Sequence, residues 1–165
     1  MKRIWAPWRI QYILDKKPTG CIFCQKVKKG EEKENLLLYK NRFSLVMMNK
    51  FPYTCGHLLV APNRHTADLD YLTKDEILDL FITLRRSIKL LDKIMKPHGF
   101  NVGMNLGRIA GAGIEQHLHL HIVPRWRGDT NFMPIVTDSM VVSESLYGTY
   151  DRLYPTFKHL RRYKY

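Results

Sequence analysis

Residues 117–123 read His-Leu-His-Leu-His-Ile-Val, and Pro124 follows at once. No other stretch restricts the fold as strongly. Successive side chains of a strand point to opposite faces, so His117, His119 and His121 share one face, about 6.6 Å apart per step. Leu118, Leu120 and Ile122 then point the other way, into a core. The segment is predicted as a strand that stops at Pro124, because proline cannot donate to a sheet ladder. Three imidazoles in a row on a sheet face are unusual without a task. A neutral imidazole has two distinct nitrogens and serves as a nucleophile, an acid–base group or a metal ligand. The alternation alone leaves these open.

The second constraint is a helix over Thr73–Lys96. Thr73-Lys74-Asp75-Glu76 has capping-box form, in which Thr73 bonds the amide three residues on and Glu76 reaches back. Ile77, Leu80, Phe81, Leu84, Ile88, Leu91 and Met95 recur at three- and four-residue steps, one apolar stripe that reads as core. Pro97 ends it. Leu36–Tyr39 and Phe43–Met48 are apolar runs of strand length, and His57–Ala61 is a short strand stopped by Pro62. Phe100–Leu106 is another strand. It leads into the glycine-rich turn Gly107–Gly113, whose amides can converge on an anion. Ser143 is placed as the cap of a last short helix carrying Leu146, Tyr150 and Leu153. This order of elements predicts one α+β domain with a largely antiparallel sheet. Residues 1–20, aromatic and broken by proline, read as an arm, and residues 137–165 as a C-terminal extension.

Lysine and arginine number 27 against 15 acids in 165 residues, a net charge of +12. That balance attracts nucleotides, polyphosphates, nucleic acid or acidic lipid without choosing among them. No apolar run approaches the roughly 18–20 residues of a membrane span, and the first residues lack the apolar core of a signal peptide, so a cytoplasmic location is expected. Three cysteines, an odd number, argue against a disulfide framework there. Two form the pair Cys21-Ile22-Phe23-Cys24, which reads as metal or redox chemistry, or as two buried thiols. Cys55 reads as incidental. No Gly-x-x-x-x-Gly-Lys-Ser/Thr phosphate loop occurs.

The chain resembles the histidine-triad family. His117–Val123 matches the His-φ-His-φ-His-φ-φ signature, where φ is apolar. Asn49–His57 resembles the family's upstream strand–loop–histidine segment, and Asn101–Gly113 its glycine-rich approach. Pro124–Pro134 is similar to the tail of the diadenosine-polyphosphate branch, and Trp5-Ala6-Pro7-Trp8-Arg9 extends the likeness. The resemblance implies a half-barrel-like antiparallel sheet with one long helix, paired as a homodimer with a continuous sheet. It implies that His119 attacks the α-phosphorus of an adenine nucleotide, forming a nucleotidyl-histidine that water or phosphate then releases. His121 and His57 would contact the phosphate, Asn49 the ribose, and Asn105 the phosphate or bridging oxygen. Gly111, Ala112 and Gly113, with Gln116 beside them, would bring backbone amides to the phosphate.

The resemblance also supplies partners for the cysteines. Family members with an N-terminal Cys-x-x-Cys, and the related sugar-nucleotide transferases, imply a structural Zn²⁺ held by Cys21, Cys24, His65 and His117. Zinc there would tie the N-terminal segment to the catalytic strand and fix His117, not act as a Lewis acid. The expected substrate is diadenosine tetraphosphate or a related adenylylated compound. An adenosine phosphoramidate hydrolase is the alternative within the fold. A nucleotide- or nucleic-acid-binding module with little turnover is the alternative outside it, with no membrane partner expected.

Overall fold

The computed structural model describes residues 20–25, 30–129 and 144–162. The arm at 1–19, the Asn131–Pro134 segment, the cap assigned to Ser143 and the terminal Tyr163-Lys164-Tyr165 lie outside the described residues.

Five strands form one antiparallel sheet: β1 (Leu37–Lys40), β2 (Ser44–Met48), β3 (Leu58–Pro62), β4 (Gly99–Gly103) and β5 (Leu120–Arg125), in the order β1-β2-β3-β5-β4. Among the described residues three α-helices accompany it: α1 (Ile22–Gln25), α2 (Lys74–Met95) and α3 (Leu146–Phe157). The α+β class and the antiparallel sheet expected from sequence are therefore observed.

Helix α2 begins as its sequence requires. The Thr73 hydroxyl accepts the Glu76 amide, and the Glu76 carboxylate accepts the Thr73 amide. Arg64 donates to the same carboxylate at 3.0 Å. The helix ends at Lys96, whose left-handed φ of 49° precedes Pro97. Leu80, Leu84 and Leu91 bury against one face of the sheet with Val46, Leu58, Val60, Leu120 and Ile122. Ile77 and Phe81, assigned to the same stripe, are exposed instead. Helix α3 closes this core with Tyr150, Leu153 and Phe157, and the Tyr150 hydroxyl donates to the Leu37 carbonyl at 3.0 Å. Its cap is Ser145, whose hydroxyl accepts the Gly148 amide.

The opposite sheet face has a smaller core of Phe23, Leu37, Leu45, Met47, Leu59 and Ala61. Leu59 pairs with His121, so the histidines belong to this face, as the alternation required.

Several boundaries differ from expectation: β4 ends at Gly103 rather than Leu106, β3 includes Pro62, and both ends of β5 move. Strand β5 does not stop before Pro124; it runs on to Arg125, with Pro124 paired to Phe100 of β4. β3 pairs with β5 only from Leu58↔Ile122 onward, so the missing proline amide falls beyond the end of β3 and breaks no ladder bond. The strand also begins later than expected, at Leu120. β3 ends at Pro62, and His117–His119 lie past its pairing. The Leu118 amide donates instead to the Thr66 carbonyl at 2.7 Å.

Candidate active site

Four histidines meet on the second sheet face: His57 from the start of β3, and His117, His119 and His121 from β5 and its approach. The β3–β5 register brings His57 against His121, with Nε2 and Nδ1 2.9 Å apart and ring centroids 5.1 Å apart. His119 and His121 have centroids 5.0 Å apart. Gly56 makes the approach to His57 possible. Its φ is +75°, and a Cβ there would lie 2.4 Å from the Met95 sulfur.

The two nitrogens of His119 are differentiated by the backbone. Nδ1 lies 2.8 Å from the His117 carbonyl, which can only accept, so Nδ1 carries the proton. Nε2 is therefore the lone-pair nitrogen. The ring is 6% exposed, with Phe23 packed against it at 5.2 Å. Burial lowers its pKa, only partly opposed by the bond to the His117 carbonyl. A neutral imidazole with one directed lone pair is the form a nucleophile needs.

His117 is held in the opposite sense. Its Nε2 donates to the Pro62 carbonyl at 2.8 Å, which leaves the Nδ1 lone pair pointing away. Around that nitrogen lie Cys21 Sγ at 3.2 Å, His65 Nδ1 at 3.3 Å and Cys24 Sγ at 3.6 Å, and Cys24 Sγ is 3.3 Å from His65 Nδ1. All four ligand atoms lie within 4.8 Å of one another. Zn–N bonds of about 2.0–2.1 Å and Zn–S bonds of about 2.3 Å, opened to tetrahedral angles, separate ligand atoms by roughly 3.3–3.8 Å. Two thiols and two imidazoles at these spacings fit Zn²⁺, and the fixed tautomer of His117 is the partner bond such a ligand usually has. The four residues singled out from sequence are thus brought together.

Asn49 and Asn105 are each engaged within the protein. Asn49 faces His57 Nδ1 through its Nδ2 at 3.3 Å. Asn105 donates to the Gly111 carbonyl at 3.2 Å and braces the glycine turn. That turn also uses its own amides: Gly111 N–H donates to the Arg108 carbonyl and Ala112 N–H to the Gly107 carbonyl. Three amides converging on a phosphate are therefore not what this conformation presents. A tight turn at Gly107 and Gly111, both at positive φ, satisfies those donors locally. Gly113 and Gln116 are exposed at the end of the turn.

Other contributors carried no clear signal in the sequence. The carbonyls of Pro62 and His117 decide two tautomers. Tyr53 sends its amide to His57 Nδ1 at 3.2 Å and lays its ring over His57, with centroids 4.7 Å apart. Phe23 covers His117 and His119. Its apolar side chain between the two cysteines was the only hint that this segment packs inward.

Burial, with the fields of His121 and His119, pushes His57 down to about 3 from an ordinary value of 6.5. The unfolded chain therefore binds a proton that the folded chain refuses between those values. This contribution to stability is complete above about pH 6.5 and is lost as pH falls toward 3. Unfolding midpoints in urea should drop between pH 7 and pH 4, with His57 alone costing about 3 kcal/mol by pH 4. The drop should shrink in His57→Gln; an identical curve in that variant would contradict the assignment.

Comparison with known proteins adds the lineage. The HIT domain family is matched over residues 30–128. A Mycobacterium tuberculosis protein named AP-4-A phosphorylase is 33% identical over 157 residues, spanning 90% of this chain and 80% of its own. A Schizosaccharomyces pombe protein named asymmetrical bis(5′-nucleosyl)-tetraphosphatase is 31% identical over 122 residues, 72% of this chain and 66% of its own. Among solved structures, a histidine triad nucleotide-binding protein from Sulfolobus tokodaii superposes with a TM-score of 0.64. It is 25% identical and spans 88% of this chain and 99% of its own.

Proposed function

The chain belongs to the HIT domain family of histidine-triad proteins, and from that premise we propose that it cleaves diadenosine polyphosphates, with diadenosine tetraphosphate as the principal substrate. The observation that carries the reading is the His119 ring. Its Nδ1–H is held by the His117 carbonyl, and its Nε2 lone pair is free to meet phosphorus.

His119 Nε2 donates its electron pair to the α-phosphorus and forms an N–P bond. The P–O bond to the β-phosphate breaks, and ATP departs with that electron pair. In the second half, an oxygen of water or of inorganic phosphate attacks the same phosphorus. The N–P bond returns its pair to Nε2, and AMP or ADP leaves. Splitting one displacement into two lowers each barrier. His121 stands where its Nε2 can steady the charge on the phosphate oxygens, a task worth several kcal/mol when donors are preorganised, and His57 supports it through the 2.9 Å contact with His121 Nδ1 rather than meeting the phosphate itself. Asn49 would meet the ribose. Asn105, Gly111, Ala112, Gly113 and Gln116 form the turn beside the phosphate, where Gly111 and Ala112 would have to release their loop bonds before donating.

Cys21, Cys24, His65 and His117 would hold Zn²⁺, which supplies structural cross-linking when bound. With four protein ligands, the tetrahedral shell leaves no position for substrate. Free Cys21 and Cys24 suit a reducing, cytoplasmic setting. Among the described residues no helix is long and apolar enough to cross a membrane. Residues 1–165 would act as one domain with an arm at 1–20 and an extension at 137–165. Two chains would join through the outer edge of β4, where Val102 is exposed, and the apolar α2 residues Ile77, Leu78 and Phe81. Light scattering should then give the mass of two chains; a single-chain mass at micromolar concentration would contradict the dimer.

The relative aligned over 90% of this chain carries a phosphorylase name, which favours phosphate as the second acceptor. Incubation with diadenosine tetraphosphate and inorganic phosphate should yield ADP with ATP, whereas omission of phosphate should slow turnover at least about tenfold. AMP with ATP at an unchanged rate would make water the acceptor. No cleavage under either condition would overturn the proposed function.

A further inference from the structure

Pairing between β3 and β5 begins at Leu58↔Ile122, so the Pro124 carbonyl, two residues on, projects past the end of β3. It accepts the Thr54 hydroxyl instead, at 2.8 Å. Thr54 belongs to the loop between β2 and His57. Its carbonyl accepts the His57 amide at 3.3 Å, and the amide of the residue before it, Tyr53, points at His57 Nδ1. A second donor converges on that nitrogen. Asn49 Oδ1 accepts the Phe51 amide at 2.9 Å, which fixes the orientation of the side-chain amide, so the group facing His57 Nδ1 is the Asn49 NH₂.

A nitrogen met by two donors must be a bare acceptor. The proton of neutral His57 therefore sits on Nε2 and is donated to His121 Nδ1. The proton of His121 is in turn on its own Nε2. That atom is buried and has no hydrogen-bond partner among the described residues, and its ring lies beside His119. A buried donor left without a partner is costly, and a bound anion would recover that cost.

We propose that Thr54 is a positioning residue. Its bond to the Pro124 carbonyl ties the 49–57 loop to the strand that bears His121, and so holds His57 and His121 in the tautomers that leave His121 Nε2–H as a proton donor beside His119. The kinetic part of this inference rests on the site being a nucleotidyl-transfer centre; the tautomer part does not. Burial keeps His57 neutral through the working pH range, so a second proton does not blur the pattern.

Long-range ¹H–¹⁵N spectra of histidine-labelled protein read the tautomers directly. In the wild type, His57 should show an unprotonated Nδ1 and a protonated Nε2. Thr54→Val keeps the side-chain volume and removes the hydroxyl. It should mix the two His57 tautomers and lower kcat about tenfold or more, with KM changed less than about twofold. Thr54→Ser, which restores the hydroxyl, should recover both the spectrum and kcat. A wild-type His57 protonated on Nδ1 would overturn the inference. So would a Thr54→Val protein with an unchanged spectrum and kcat, or one altered only in KM. If the valine variant does not fold, the wild-type spectrum decides alone. A wild type that shows the expected tautomers but no turnover of diadenosine tetraphosphate would leave the tether in place and remove the proposed activity.

Discussion

His119→Ala should abolish turnover of diadenosine tetraphosphate, lowering kcat on the order of 10⁴-fold or more, while nucleotide affinity stays within a few-fold of wild type. The argument runs from the backbone outward. The His117 carbonyl accepts the His119 Nδ1 proton, so the opposite nitrogen alone bears the pair that can attack phosphorus. Removing the ring removes the covalent route, but the neighbouring donor that would bind phosphate, His121, does not depend on it. Mass spectrometry of wild-type protein quenched during turnover should find AMP attached to the peptide containing His119, and the alanine variant should carry none. Near-wild-type turnover in the variant, or AMP on another residue, would remove the nucleophile assignment.

The second large effect concerns the four-ligand cluster. Metal analysis of the purified protein should find about one zinc per chain. Cys24→Ala should lose that metal and melt at least about 10 °C lower, because binding to a site absent from the unfolded chain adds its free energy to folding. A chelator should lower the melting temperature of wild type by a similar amount and leave the variant unmoved. The site joins three remote segments: Cys21 just before α1 and Cys24 within it, His65 after β3, and His117 before β5. Its loss should therefore also reduce kcat, since the same His117 residue whose carbonyl sets His119 would be anchored by Pro62 alone. Unchanged zinc content in Cys24→Ala would show that the ligands are others. A zinc-free wild type with a high melting point would show that the thiols merely pack.

Several features were determined by the sequence itself, because they are local. The capping box and the three- and four-residue apolar steps specify α2 whatever lies around it. The two-residue period of His117–Val123 puts the three imidazoles on one face and Leu118, Leu120 and Ile122 on the other. Even so, local periodicity placed Ile77 and Phe81 in the core, whereas the packed structure leaves them exposed.

What only the tertiary structure decided is what each imidazole does. His117 and His119 are near-identical in their local sequence, yet one turns its Nδ1 lone pair to two thiols and the other keeps its Nδ1 protonated. The difference comes from which carbonyl each ring meets: Pro62, 55 residues away in the chain, or His117, two residues away. The same holds for His57, whose partner His121 is 64 residues distant and reached only through the register of β3 on β5. Sequence period sets the face of a strand that a side chain occupies. The protonation pattern on that face depends on the directions of hydrogen-bonding groups contributed by other segments, and those directions exist only after the sheet has formed.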